Sequence, residues 1–183
     1  MRLFIASQFS EDYIKEIEGF VSFLDKNFCR SLKIVIPSNI HLTYVFLGDL
    51  VDEKDIPFLK DVLEKFRDMR SIEFYSRKVG FFPSSKTPRV IWLDIDENAS
   101  KKLIEIYSNI KNKLQTNRIY TDDRFVPHIT VARVKGMLFD NDVRKIMDLN
   151  VDYKGVIKNI ALFNSTLTQG GPLYTKIFEV DLL

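Results

Sequence analysis

Apolar residues along this chain recur at two spacings, and the alternation between them outlines the elements. "RLFIASQF" near the start is rich in β-formers in loose alternation and reads as a strand. Ser10, followed by Glu11 and Asp12, predicts a helix start, and Ile14, Ile17, Val21, Leu24 and Phe28 then recur at helical spacing to residue 29. "LKIVIP" reads as a strand closed by Pro37, and "HLTYVFLGDL" as another that ends near Gly48. Over 53–69, Ile56, Leu59, Leu63 and Phe66 predict a second amphipathic helix with Pro57 in its first turn. "SIEFYSRKVGFF" and "RVIWLDI" are expected as two strands around the turn "PSSKTP". Leu103, Ile106, Ile110 and Leu114 predict a third helix over 98–115. A strand around "VPHITVAR" and a shorter helical segment at 138–149 follow. The last two strands are expected at 153–165 and 173–181, joined through a Gly-Gly-Pro turn in "TLTQGGPLY".

Strands and helices in this order argue an α+β fold of mostly antiparallel sheets with helices outside. The chain holds only two histidines, His41 and His128, and each follows a long amphipathic helix and a linking segment. That placement predicts two similar lobes, with residues 1–183 forming a single bilobal domain. A chain of 183 residues buries about 70% of its unfolded surface. With 45% hydrophobic residues, 7 Gly and 6 Pro, it contains no low-complexity tract. The single Cys29 excludes an internal disulfide framework and suits a reducing, cytoplasmic compartment. The first residues read as no signal peptide, and no stretch reaches the roughly 20 apolar residues that span a bilayer, so no membrane association is expected. A net charge of +2 supplies no global attraction for nucleic acid, so a nucleic-acid partner needs a local basic patch.

Both histidines sit two residues before a threonine, in "HLT" and "HIT", although threonine fills only 8 of the 183 positions. Side chains alternate across a strand, so His41 and Thr43 share one face, as do His128 and Thr130. Two such strands side by side aim two imidazoles and two hydroxyls into one cleft. Imidazole titrates near pH 6.5, so the pair supplies a general base and a general acid, while the hydroxyls donate to anionic oxygens. This combination suits in-line attack on a phosphodiester. A structural reading, in which histidine packs and threonine is there for β-propensity, accounts for one such motif more readily than for two. A zinc site lacks ligand spacing: Cys29 is alone, and no acid lies two residues from either histidine. Neither a nucleophile elbow nor a Gly-rich phosphate loop is present.

"IHLTYVFLG" and "PHITVARVKG" resemble the paired signatures of the two-histidine phosphoesterases, in the branch named for bacterial 2′-5′ RNA ligase and described as RNA 2′,3′-cyclic phosphodiesterase. The likeness extends to the "MRLFIA" start, Phe81-Phe82-Pro83 ahead of "PRVIWL", Phe125 three residues before His128, and the closing "STLTQGGPLY" and "IFEVDL". The resemblance implies a bilobal fold with the active cleft between lobes. It also implies a metal-independent enzyme without cofactor that opens a terminal RNA 2′,3′-cyclic phosphate to a 2′-phosphomonoester. His41 matches the family's proton donor, His128 its proton acceptor, and Thr43 and Thr130 its phosphate-contacting hydroxyls. Val45 and Val126 stand where relatives often carry basic residues, and strand parity puts Val45 on the cleft side with His41. The alternatives are a 2′-5′ RNA ligase or 2′-5′ linkage esterase, which is the same site run in reverse, and a non-catalytic RNA- or nucleotide-binding module.

Phe125, Arg133, Phe46 and Arg124 are the further candidate substrate contacts. Parity points Arg133 away from the cleft unless a bulge re-aims it. Phe46 and Phe125 offer faces for base stacking, although with 15 Phe in the chain core packing is the expectation for Phe46. Arg89, Arg118 and Arg124 could follow an RNA backbone. The expected partner is RNA with a cyclic-phosphate end, bound by a monomer with no obligate protein partner.

Overall fold

The computed structural model describes residues 2–121 and 124–183, and every strand pair within them is antiparallel. In chain order the elements are β1 (Leu3–Gln8), α1 (Glu11–Phe28), β2 (Leu32–Ile34), β3 (His41–Gly48), α2 (Ile56–Glu64), β4 (Ile72–Ser76), β5 (Val79–Phe82), β6 (Val90–Leu93), α3 (Glu97–Thr116), β7 (Ile129–Val134), α4 (Asp140–Met147), β8 (Tyr153–Ile157), β9 (Asn159–Thr168) and β10 (Gly171–Asp181). Two sheets have four strands each, in the orders β10-β9-β1-β3 and β2-β7-β6-β5, and β4 pairs with β8 in a third. The α+β class, the antiparallel sheets and the helices on the outside are those the sequence predicts.

The helices form where caps and apolar spacing coincide. Ser10 caps α1 by accepting from the Tyr13 N–H, and the helix buries Tyr13, Ile17, Phe20, Leu24 and Phe28. Asp96 caps α3 by accepting from the Asn98 and Ala99 N–H groups, and Ala99, Leu103, Ile106, Ile110 and Leu114 face the core. The second helix is shorter than expected. Asp52 and Asp55 form a reciprocal cap around a 3₁₀ turn at Glu53–Asp55, the α-helix stops at Glu64, and Phe66, Arg67 and Met69 then donate to carbonyls three residues back.

The expected strand "SIEFYSRKVGFF" divides between two sheets. Asp94 Oδ1 accepts from the backbone N–H groups of Arg77 (2.6 Å) and Lys78 (2.7 Å), so a side chain replaces the ladder there. β4 then pairs with β8, and β5 with β6. The expected strand 153–165 likewise divides into β8 and β9, in different sheets.

The two histidine motifs occupy equivalent frames. β1, α1 and β3 make a strand–helix–strand unit in which β1 pairs with β3; β6, α3 and β7 make a second, in which β6 pairs with β7. Each histidine strand carries a β-bulge at the same place. Ile5 pairs with Val45 but Ala6 with Thr43, leaving Tyr44 as the extra residue; Ile91 pairs with Ala132 but Trp92 with Thr130, leaving Val131. The sheets are not mirror copies, since β3 is an edge strand while β7 is covered by β2 from the first half of the chain. On β1, Leu3 and Ile5 join the main core, whereas Phe4 and Ala6 pack with Ala161 and Phe163 in a small second cluster on the opposite face.

Candidate active site

That second cluster forms the floor beneath His41. The Phe4 ring lies 5.3 Å from the imidazole, and Tyr174 of β10 meets the same imidazole edge-on at 5.2 Å. On the other side, Phe82 stands edge-on to His128 at 4.9 Å, and Trp92 stacks on Phe82 at 5.0 Å. Between these aromatic walls runs a cleft of about 680 Å³ lined by His41, Thr43, His128 and Thr130. The cleft volume lies within the range of small-molecule sites.

Both imidazoles are held in the same way. His41 Nδ1 lies 2.6 Å from the Asn39 carbonyl, and His128 Nδ1 lies 2.6 Å from the Val126 carbonyl, in each case two residues back. A carbonyl can only accept, so each Nδ1 carries a proton and, in the neutral ring, Nε2 is left with the lone pair. The Asn39 side chain also donates to the Pro172 carbonyl at 2.8 Å, which ties this loop to the β9–β10 hairpin. No side-chain hydrogen bond within the described residues occupies the hydroxyl of Thr43 or Thr130.

Burial lowers the pKa of both histidines. For His41 the desolvation cost is partly offset by the Asn39 carbonyl and reinforced by His128 and Arg133; for His128 it is partly offset by the Val126 carbonyl. In the unliganded protein both rings are therefore driven toward the neutral form. Among the described residues no three of His, Cys, Asp and Glu converge as metal ligands, and no helix is long and apolar enough to cross a membrane.

The bulges change which neighbours reach the cleft. After Thr43 the alternation is shifted by one, so Val45 is fully buried and does not face the cleft as parity predicts. Phe46 takes that place: it is 58% exposed and lines the cleft, and is not the core residue expected. The matching bulge turns Arg133 to the side of His128 and Thr130, so it too lines the cleft. Burial raises the Tyr174 pKa and lowers that of His41; the Arg133 charge opposes the first shift and adds to the second.

Arg124 and Phe125 are at the cleft as well, but one face of Phe125 is covered by Tyr107, stacked at 5.0 Å. Val126 lines the rim and uses its carbonyl to hold His128. Arg89 and Arg118 are exposed and do not line the cleft; Arg118 adopts φ 61° just past the end of α3. Sequence reading assigned no role to Lys33, Asn39 or Tyr174, all of which line the cleft. Nothing local marks them, although Tyr174 falls in the closing segment that carries the family likeness.

A family profile described as the 2′-5′ RNA ligase superfamily matches residues 35–167. The chain is similar to the RNA 2′,3′-cyclic phosphodiesterase of Methanocaldococcus jannaschii, 34% identical over 185 residues and covering 98% of this chain and 99% of the relative. It is also similar to the RNA 2′,3′-cyclic phosphodiesterase of Thermotoga maritima, 28% identical over 98% of this chain and 94% of the relative. A solved structure from Thermus thermophilus superposes with a TM-score of 0.80 at 25% identity, covering 100% of this chain and 98% of the other. Unliganded Escherichia coli LigT shares the fold at a TM-score of 0.74 and 20% identity, over 99% of this chain and 96% of the other.

Proposed function

Since the chain belongs to the 2′-5′ RNA ligase superfamily, we propose that it hydrolyses the terminal 2′,3′-cyclic phosphate of RNA to a 2′-phosphomonoester. His41 is the proton donor, His128 the proton acceptor, and Thr43 and Thr130 hold the phosphate. Residues 1–183 act as one bilobal unit, a cytoplasmic monomer that works without cofactor or metal. The observation that carries this reading is the matched pair of imidazoles, each with Nδ1–H given to a backbone carbonyl and Nε2 left for the same cleft. Binding alone needs phosphate donors but not a second oriented imidazole.

In the reaction, the Nε2 lone pair of His128 takes a proton from water as the water oxygen bonds to phosphorus. The bond from phosphorus to the 3′ oxygen breaks, and Nε2–H of protonated His41 delivers its proton to that oxygen. The products are a 3′-hydroxyl and a 2′-phosphate; exchange with solvent returns both rings to their starting states. Burial opposes the charged form of His41, and the bound phosphate anion offsets that by raising its pKa. The threonine hydroxyls, without side-chain hydrogen-bond partners among the described residues, donate to the non-bridging oxygens.

The test is hydrolysis of a dinucleotide ending in a cyclic phosphate, with and without EDTA. The expected product is the 2′-phosphate, at a rate EDTA does not change. His41→Ala or His128→Ala should each lower kcat by about 10²–10⁴-fold, and the double variant should lose little more than either, because one partner cannot complete the proton transfer. A double variant as fast as the wild type would refute the two histidines as the catalytic pair, and a wild-type protein that binds the cyclic-phosphate end without hydrolysing it would leave a binding module in place of the enzyme.

A further inference from the structure

Lys33 on β2 and Arg133 on β7 are register partners in an antiparallel ladder, so their side chains stand on the same face, and both line the cleft. Like charges placed directly opposite each other weaken a sheet. Among the described residues nothing relieves this one: neither side chain has an ion-pair partner there, and no described Asp or Glu lines the cleft. The chain as a whole is nearly balanced, with 27 basic and 25 acidic residues, so attraction for an anion has to come from a local arrangement such as this facing pair. Arg124 adds a third cation at its rim.

A cyclic phosphodiester carries one negative charge and two non-bridging oxygens. Thr43, Thr130 and Arg133, beside the two imidazoles, are enough to meet it. Lys33 is then surplus. It sits one strand further out, about 4.8 Å in the sheet direction, with its Nζ beside the hairpin tip, where a Cβ on Gly171 would lie 3.7 Å away. Exposed apolar side chains, Phe46, Leu173, Ile36 and Val126, ring the same mouth and suit unpaired bases.

We infer that Lys33, one strand beyond Arg133, forms a second anion subsite that holds the phosphodiester on the 5′ side of the reacting end. The substrate is therefore an unpaired RNA 3′ end of at least two nucleotides. This rests on the proposed reaction for which phosphate is attacked, and adds a requirement for the one before it.

The experiment compares adenosine 2′,3′-cyclic monophosphate with the adenosine dinucleotide that ends in the same cyclic phosphate, on wild type and Lys33→Met. A charge-assisted hydrogen bond to the extra phosphate makes kcat/KM for the dinucleotide about tenfold or more higher in the wild type at low salt. In Lys33→Met that ratio falls toward one, and the slope of log KM against log salt for the dinucleotide becomes shallower by about 0.7. A wild-type ratio near one, or a ratio that Lys33→Met leaves intact, overturns the subsite. If neither compound is hydrolysed, the proposed reaction fails instead. Equilibrium binding of the same two compounds to the same two proteins then gives the ratio, and decides the subsite on its own.

Discussion

Gly80 is the position from which the wall behind His128 can be moved without touching the site. It pairs with Trp92 across β5 and β6, and the indole lies over the space where a side chain would be. A Cβ at residue 80 would fall 2.1, 2.3 and 2.4 Å from three atoms of that ring. Carbon atoms rest about 3.5–4.0 Å apart, so Gly80→Ala forces the indole to move by more than about 1 Å. The ring has no hydrogen bond to resist this, since Trp92 Nε1 has no partner among the described residues, and only packing holds it. It stacks on Phe82, and both rings contact the His128 imidazole, at 4.9 Å for Phe82 and 6.3 Å for Trp92. Overpacking of this kind costs about 1–3 kcal/mol. For a chain of this size that is a fall in Tm of about 2–12 °C. Misplacing a reacting group by about 1 Å can cost about 10²-fold in rate. Gly80→Ala should therefore lose kcat on a cyclic-phosphate end well below its melting temperature. Trp92 is the only tryptophan in the chain, so its emission reports the displacement directly. A variant whose emission shifts while kcat stays at the wild-type value would refute the idea that this wall positions His128.

The pH profile of kcat/KM needs neutral His128, which sets the acid limb, and protonated His41, which sets the alkaline limb. Because burial lowers both pKa values below the ordinary 6.5, the maximum should fall below pH 6.5, and Arg133→Gln should move the His41 limb upward; a maximum near pH 8 would contradict this. Thr43→Val or Thr130→Val should lower kcat/KM only about 2- to 13-fold, the worth of a neutral hydrogen bond, and a loss as large as that of a histidine variant would assign the hydroxyl a different role. Arg118 sits in the left-handed region at φ 61°, directly after the C-cap of α3, so Arg118→Gly should raise stability by about 1 kcal/mol in denaturant unfolding with no change in activity.

The convergence of His41, Thr43, His128 and Thr130 on one cleft was legible because it depends only on the first three residues of each motif, where strand alternation holds. Beyond Thr43 and Thr130 the same rule fails, because a single extra residue, Tyr44 or Val131, shifts every later side chain to the other face. Neither bulge carries a glycine or any other local mark, so Val45 and Phe46 were exchanged in the sequence reading. The split of β4 from β5 was hidden for a different reason. It depends on Asp94, which lies well downstream and takes the two N–H groups that would have continued the ladder. Lys33 was invisible as a cleft residue because it reaches the cleft by lying opposite Arg133, a pairing between halves of the chain that no local pattern encodes.

The two histidines share a tautomer, a tether and a fall in basicity, so the imidazoles by themselves do not determine the sense in which a substrate lies across them. A difference in charge between the equivalent strands comes five residues on, where one strand presents Phe46 and the other Arg133. One arm of the cleft thus offers a flat aromatic face and the other a cation. A nucleotide is itself two-ended, with a base at one end and phosphate at the other. It can satisfy both arms in only one orientation, and that orientation determines which oxygen of the ring faces which histidine. In the proposed reaction, the direction of bond cleavage is then set by a pair of side chains that need take no part in proton transfer.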